Sequence, residues 1–214
     1  MDVRTKQLFE RALTRLGDNG GGGSGLIDDA KRLYDRVQML LNMRLLTEDV
    51  DVAPLELACY ALQLPLRMVK PTPAKKAGRP NLHDRAEQAA EMLLSVVNER
   101  GEDPIVDRAT QILHDLPKRA PLLDEAKLLA DAVNLDDFGM TGVLLQAVHL
   151  SRLGSGVVQV ADGLEKREQY GYWDVRLKEG FHFEAVRQMA RRRLEHTRRA
   201  AALLREEMKE DRPA

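Results

Sequence analysis

Apolar residues recur in this chain at intervals of three and four, segment after segment. Leu26, Ala30, Leu33, Val37, Leu40 and Leu41 form one stripe, and Val186, Ala190, Leu194, Ala201, Leu204 and Met208 form another. That spacing puts each set on one side of a helix with 3.6 residues per turn. No period-two pattern persists. GVVQVA at 156–161 is the best short strand candidate, and a single strand does not make a sheet. Aromatics at 4% and charged residues at 31% suit helices with solvated outer faces. The expected fold class is therefore all-α, a helical bundle.

The segments follow one another in a readable order. Residues 3–16 predict a short helix with Leu8, Phe9, Leu13 and Leu16 on one side. GDNGGGGSG at 17–25 reads as a tether, because each glycine costs a helix about 1 kcal/mol relative to alanine. No strand precedes this run and no GK[ST] follows it, so a phosphate loop is disfavoured. PLELACYALQLPL at 54–66 is apolar nearly all round and predicts a central helix that Pro65 ends or kinks. KPTPAKKAGRPN at 70–81 reads as a basic, proline-rich linker. Asn81 caps a helix over 82–99, and Pro104 sits in the first turn of another over 104–116. Helices over 122–134, 137–152, 157–169 and 182–210 complete the bundle. One domain over 26–210, with 1–25 as an N-terminal helix and tether, is the expected organisation.

Composition narrows the functional classes. A net charge of −1 provides no overall field for nucleic acid or anionic lipid. Cys59 is the only cysteine, which excludes an internal disulfide and a cysteine-built zinc cage. No apolar run approaches the roughly 20 residues of a membrane span, and MDVRTKQLFERAL has no apolar signal core. The expected location is the cytoplasm. Arg191, Arg192, Arg193, Arg198 and Arg199 give the last helix a basic character, but interleaved glutamates favour an ion-paired, solvated face over a nucleic-acid grip. The window 170–183 holds five of the nine aromatics, Tyr170, Tyr172, Trp173, Phe181 and Phe183. It reads as a mini-core that packs the last helix, with a ligand-facing wall as the sharper alternative.

The most specific stretch is DEAKLLADAVNLDDFGMTG at 124–142, which sets Asp131, Asn134 and Asp136 near one helix end ahead of Gly139. Spacing alone favours helix capping by Asp136 and Asp137 over a shared cation. The stretch also resembles the third motif of the HD-domain metal-dependent phosphohydrolases, in the branch reading E-x-K-x-x-x-D-A-D-x-L-D-x-x-G. Glu125, Lys127, Asp131, Ala132, Leu135, Asp136 and Gly139 match, whereas Val133 stands at the second Asp and Asn134 at the usual Arg. The branch places H-x-x-R-V on its first core helix and an HD pair 29 and 30 residues after that His. With Arg36-Val37 as the RV, those positions fall without a gap on Leu33, Leu62 and Gln63. HDRAEQAAEMLL (83–94), ATQILHD (109–115) and the closing helix extend the likeness across 26–210 as a helix pattern.

That resemblance implies an HD-like bundle whose first His and HD pair are gone. Of the four ligand positions only Asp131 keeps its side chain. Leu33 and Leu62 cannot bind a cation, and Gln63 offers at best a neutral carbonyl oxygen. No metal cofactor and no catalytic residue are expected. Arg36 and Asp136 remain as pocket candidates for a binding or regulatory module, whose expected partner is a small phosphorylated ligand or a protein. A competing register takes His83, His114, Asp115 and Asp131 as ligands of a divalent metal such as Mn or Mg, and predicts an active phosphohydrolase on nucleotides or related phosphoesters. It puts Asp131 only 16 residues after Asp115.

Overall fold

In the computed structural model, residues 3, 6–7, 23–46, 50–67, 81–97, 103–152 and 154–210 are described, and every regular element among them is helical. The helices are α1 (Gly23–Asn42), α2 (Val52–Ala61), α3 (Leu82–Val97), α4 (Pro104–Asp115), α5 (Asp124–Asn134), α6 (Gly139–Arg152), α7 (Val157–Gln169), α8 (Tyr172–Glu179) and α9 (Glu184–Glu210). Short 3-10 turns cover Leu64–Arg67 and Leu135–Asp137. The helical reading of 156–161 thus prevails over the strand reading. Most of residues 3–16, where an N-terminal helix is expected, and the linker residues 70–80 lie outside the described residues.

Local chemistry accounts for most boundaries. The Asp51 carboxylate accepts from the Ala53 amide at 3.1 Å and starts α2. The Asn81 side chain accepts from the Asp84 amide at 2.8 Å, and Asp103 accepts from Ile105 at 3.1 Å with Pro104 in the first turn. Each satisfies an amide that a helix start leaves without an intrahelical partner. The tether, however, ends earlier than expected, because α1 begins at Gly23. First-turn amides make no intrahelical bond, so glycine is tolerated there as it would not be mid-helix. The apolar segment is helical only to Ala61, and Pro65 lies in the following 3-10 turn.

The described residues divide into two compact units, one up to Ala132 and one from Val133 onward. In the first, α2 is central: every residue from Pro54 to Ala61 is buried, and α1, α3 and α4 pack against it. In the second, α9 packs against α6, α7 and α8. Val186, Ala190, Leu194 and Thr197 form the buried stripe of α9.

Candidate functional site

The residues aligned with the metal positions all lie in the first unit. Leu33, on the inner face of α1, is 1% exposed, and Leu62, at the end of α2, is fully buried. Gln63 is buried beside it, its amide nitrogen donating to the Cys59 carbonyl at 3.4 Å. Asp131 is fully buried on α5. One turn after Leu33, the Arg36 guanidinium donates to the Ala132 carbonyl at 2.8 Å, which ties α1 to the chain next to Asp131.

Arg85 is the residue that sequence reasoning missed. It is buried on α3, and its Nε donates to the Leu62 carbonyl at 2.7 Å while Nη2 donates to Gln63 Oε1 at 3.2 Å. The last carbonyls of a helix lack intrahelical donors and carry the negative end of its dipole, so a guanidinium there meets both needs. The signal was present in sequence: Arg85 shares its helix row with Ala89 and Leu93, both buried. An arginine in register with an apolar stripe needs internal acceptors.

These side chains do not fit a divalent cation. Two of the four positions carry no donor atom, and the Gln63 oxygen already accepts from a cationic side chain. Among the described residues, no three His, Cys, Asp or Glu side chains are arranged to share a metal ion. The structure therefore does not gather His83, His114, Asp115 and Asp131 either. His83 is exposed on the first turn of α3, its ring nitrogen 3.3 Å from Glu87. His114 is exposed in the last turn of α4. Asp115 is buried, and its oxygens face the Leu123 amide at 2.7 Å and Lys118 Nζ at 3.0 Å.

That use of Asp115 is structural, since it joins the end of α4 to the approach to α5. Burial alone would raise its pKa, but the Leu123 amide, Lys118 and Leu122 outweigh it and hold the carboxyl below the usual range. A depressed folded pKa adds stability above the ordinary carboxylate value of about 3.9; that stability is lost as pH falls through the folded value. Asp115→Asn is expected to cost about 1–2 kcal/mol at neutral pH, with the difference from the parent narrowing below about pH 4. Urea titrations across pH measure it, and a pH-independent difference would reject the assignment.

Two further side chains on α2 are held in their neutral forms. Burial, reinforced by Glu56, pushes the Cys59 thiol well up, which leaves it protonated and inert as a nucleophile. The Tyr60 phenol is pushed up to about 12 for the same two reasons, burial first.

Several side chains of the 124–142 segment are engaged in ion pairs and hydrogen bonds. Glu125 accepts from Arg108 on α4, at 2.7 Å to Nη2 and 3.1 Å to Nε. Lys127 pairs with Asp124 at 2.7 Å. In the second unit, Asp136 is buried in the 3-10 turn. The helix expected from 137 begins at Gly139, after the 3-10 turn that holds both aspartates. Asp137 Oδ2 accepts from Arg176 at 2.9 Å and from the Tyr172 hydroxyl at 3.1 Å. Arg176 also donates to Asn134 Oδ1 at 2.6 Å, and the Asn134 amide donates to the Gly180 carbonyl. Gly139 has φ +77°, a left-handed conformation that glycine adopts without strain, and its amide donates to Thr197 Oγ1 at 2.8 Å.

The aromatic window behaves as a mini-core. Fully buried Phe138 meets Trp173 and Phe181 with ring centroids 5.3 and 5.6 Å apart. Tyr172 stands edge-on to Trp173 at 5.0 Å, and the Arg167 guanidinium lies over both rings. Tyr170 is exposed. Helix α8 inside this window is unanticipated by periodicity, for only Trp173 of its eight residues is buried.

Comparison with protein-family models, with curated proteins and with solved structures returns no match. No helix among the described residues is long and apolar enough to cross a membrane.

Proposed function

We propose that this chain is a catalytically degenerate HD-like protein, a helical binding or regulatory module without tight metal binding. One observation carries the reading. At the positions matched to the first His and the HD pair, the side chains are leucine, leucine and glutamine, and an internal guanidinium from Arg85 bonds to the last two residues. A metal that activates water needs several ligands converging within about 2.0–2.3 Å, and a fixed cation beside Gln63 opposes a second one.

The test is elemental. Protein purified without chelator should carry Mn, Fe, Ni and Zn at far less than one ion per chain. Near-stoichiometric metal, together with phosphoester hydrolysis abolished by a chelator, would overturn the proposal in favour of a metal-dependent phosphohydrolase.

A further inference from the structure

Helix α6 turns an apolar row toward solvent. Met140, Leu144 and Val148 are 50%, 60% and 47% exposed, and their spacing of four residues stacks them along one side of the helix. The opposite side is the one spent inside the second unit. Gln146 is buried against Gly163 of α7, so closely that a methyl added there would meet its amide nitrogen at 2.5 Å. The Gly139 amide reaches Thr197 of α9. The row is what α6 leaves outside.

Its chemistry differs from that of the neighbouring helices. From Gly139 to Ser151 there is no Asp, Glu, Lys or Arg, in a chain of which 31% is charged. By contrast, Asp162, Lys166 and Glu168 are exposed on α7, and Arg192, Glu195 and Arg199 on α9. A surface helix ordinarily presents such groups to water. Large apolar side chains in a zone depleted of charge are the mark of an interface centre. Lipid fits this row poorly, because helices that lie in a membrane surface carry Lys and Arg beside the apolar side. A charged partner would find no counter-charge.

We infer that the outward face of α6 is a self-association surface, on which two copies of this chain pair antiparallel across Leu144. A two-fold axis at Leu144 sets leucine on leucine and Met140 on Val148 of the second copy, so one uncharged row completes itself. The antiparallel crossing also opposes the two helix dipoles. Ala147 and Ser151, beside the large side chains, are small enough to let the helices approach closely. A strip one helix wide and about 21 Å long buries roughly 1,000 Å² over both copies, near the lower limit for a specific interface. The dimer is therefore reversible. This inference stands apart from the metal reading, which elemental content tests and self-association does not.

The experiment is sedimentation of the full chain over about 1–300 µM, the range in which so small a contact dissociates. A monomer–dimer equilibrium is expected. Leu144→Lys sets two like charges face to face at the axis and should weaken it by at least about tenfold. Lysine is a comparable helix former and the site is exposed, so circular dichroism and Tm should match the parent. Leu122→Lys, the same change at an exposed leucine of the first unit, should leave association unchanged. Register is read with single cysteines and a bismaleimide whose reach of about 8 Å matches packed helices. Cys59 is buried and stays silent. Leu144→Cys should cross-link to itself, and Met140→Cys should couple to Val148→Cys in a mixture. Met140→Cys alone should not, since its two copies lie about 12 Å apart along the axis. A monomer throughout the range, indifference to Leu144→Lys, or self-coupling of Met140→Cys stronger than the mixed pair would each overturn the inference. So would binding of neutral phosphatidylcholine vesicles by a chain that does not dimerise, which would assign the row to lipid.

Discussion

Replacing Leu33, Leu62 and Gln63 by His, His and Asp together is expected to destabilise the first unit by roughly 3–6 kcal/mol rather than create a metal site. Both leucines are fully packed. A buried imidazole without a partner costs about 1–3 kcal/mol, and the lost leucine packing adds to that. The third change is milder, because Arg85 stands where it can pair with a carboxylate at position 63. That same pairing would occupy the carboxylate a metal needs. Natural domains are stable by only about 5–15 kcal/mol, so much of the chain should be unfolded near its former Tm. Urea denaturation followed by circular dichroism gives the loss directly. Adding Mn²⁺ separates the two pictures: a metal that binds only the folded state would raise the midpoint by mass action. Rescue by Mn²⁺ would mean that these positions converge on a usable site. Leu33→Met with Leu62→Met, which conserves volume, should cost less than about 1.5 kcal/mol per site.

Phe138→Ala should be the most damaging single change in the second unit, at about 3–5 kcal/mol. The ring is fully buried and is the shared neighbour of Trp173 and Phe181. It lies between Asp137, which holds Arg176 and Tyr172, and Gly139, which is tied to Thr197 on α9. Trp173 is the only tryptophan, so its emission reports on this unit alone. The variant should shift that emission to the red and lower the unfolding midpoint seen by fluorescence. Phe138→Leu should keep most of the midpoint, since it retains an apolar side chain at the centre. An unchanged spectrum in the alanine variant would show that the cluster is not a core.

The sequence was readable wherever a local rule decides the structure. Asn81 and Asp103 are both cap-type residues at helix starts, and both cap. The run around Cys59 is apolar on every face, and it is central. The same rules failed where a distant contact decides. Helix α8 has one buried residue and no stripe, so its existence depends on Trp173 docking and on Arg176 reaching Asn134 and Asp137. Spacing likewise gives no sign that Asp137 accepts from Tyr172 and Arg176, 35 and 39 positions away.

The sequence by itself determined the helical class, most helix starts, and the identity of the side chains at Leu33, Leu62 and Gln63, because periodicity, capping and ligand chemistry are properties of residues and their near neighbours. Only the tertiary structure decided that Arg85 bonds to Leu62 and Gln63, and that Asp115 is committed to Leu123 and Lys118. Those outcomes depend on which buried acceptor or carboxylate comes within hydrogen-bond reach, and that is fixed by the packing of helices far apart in the chain.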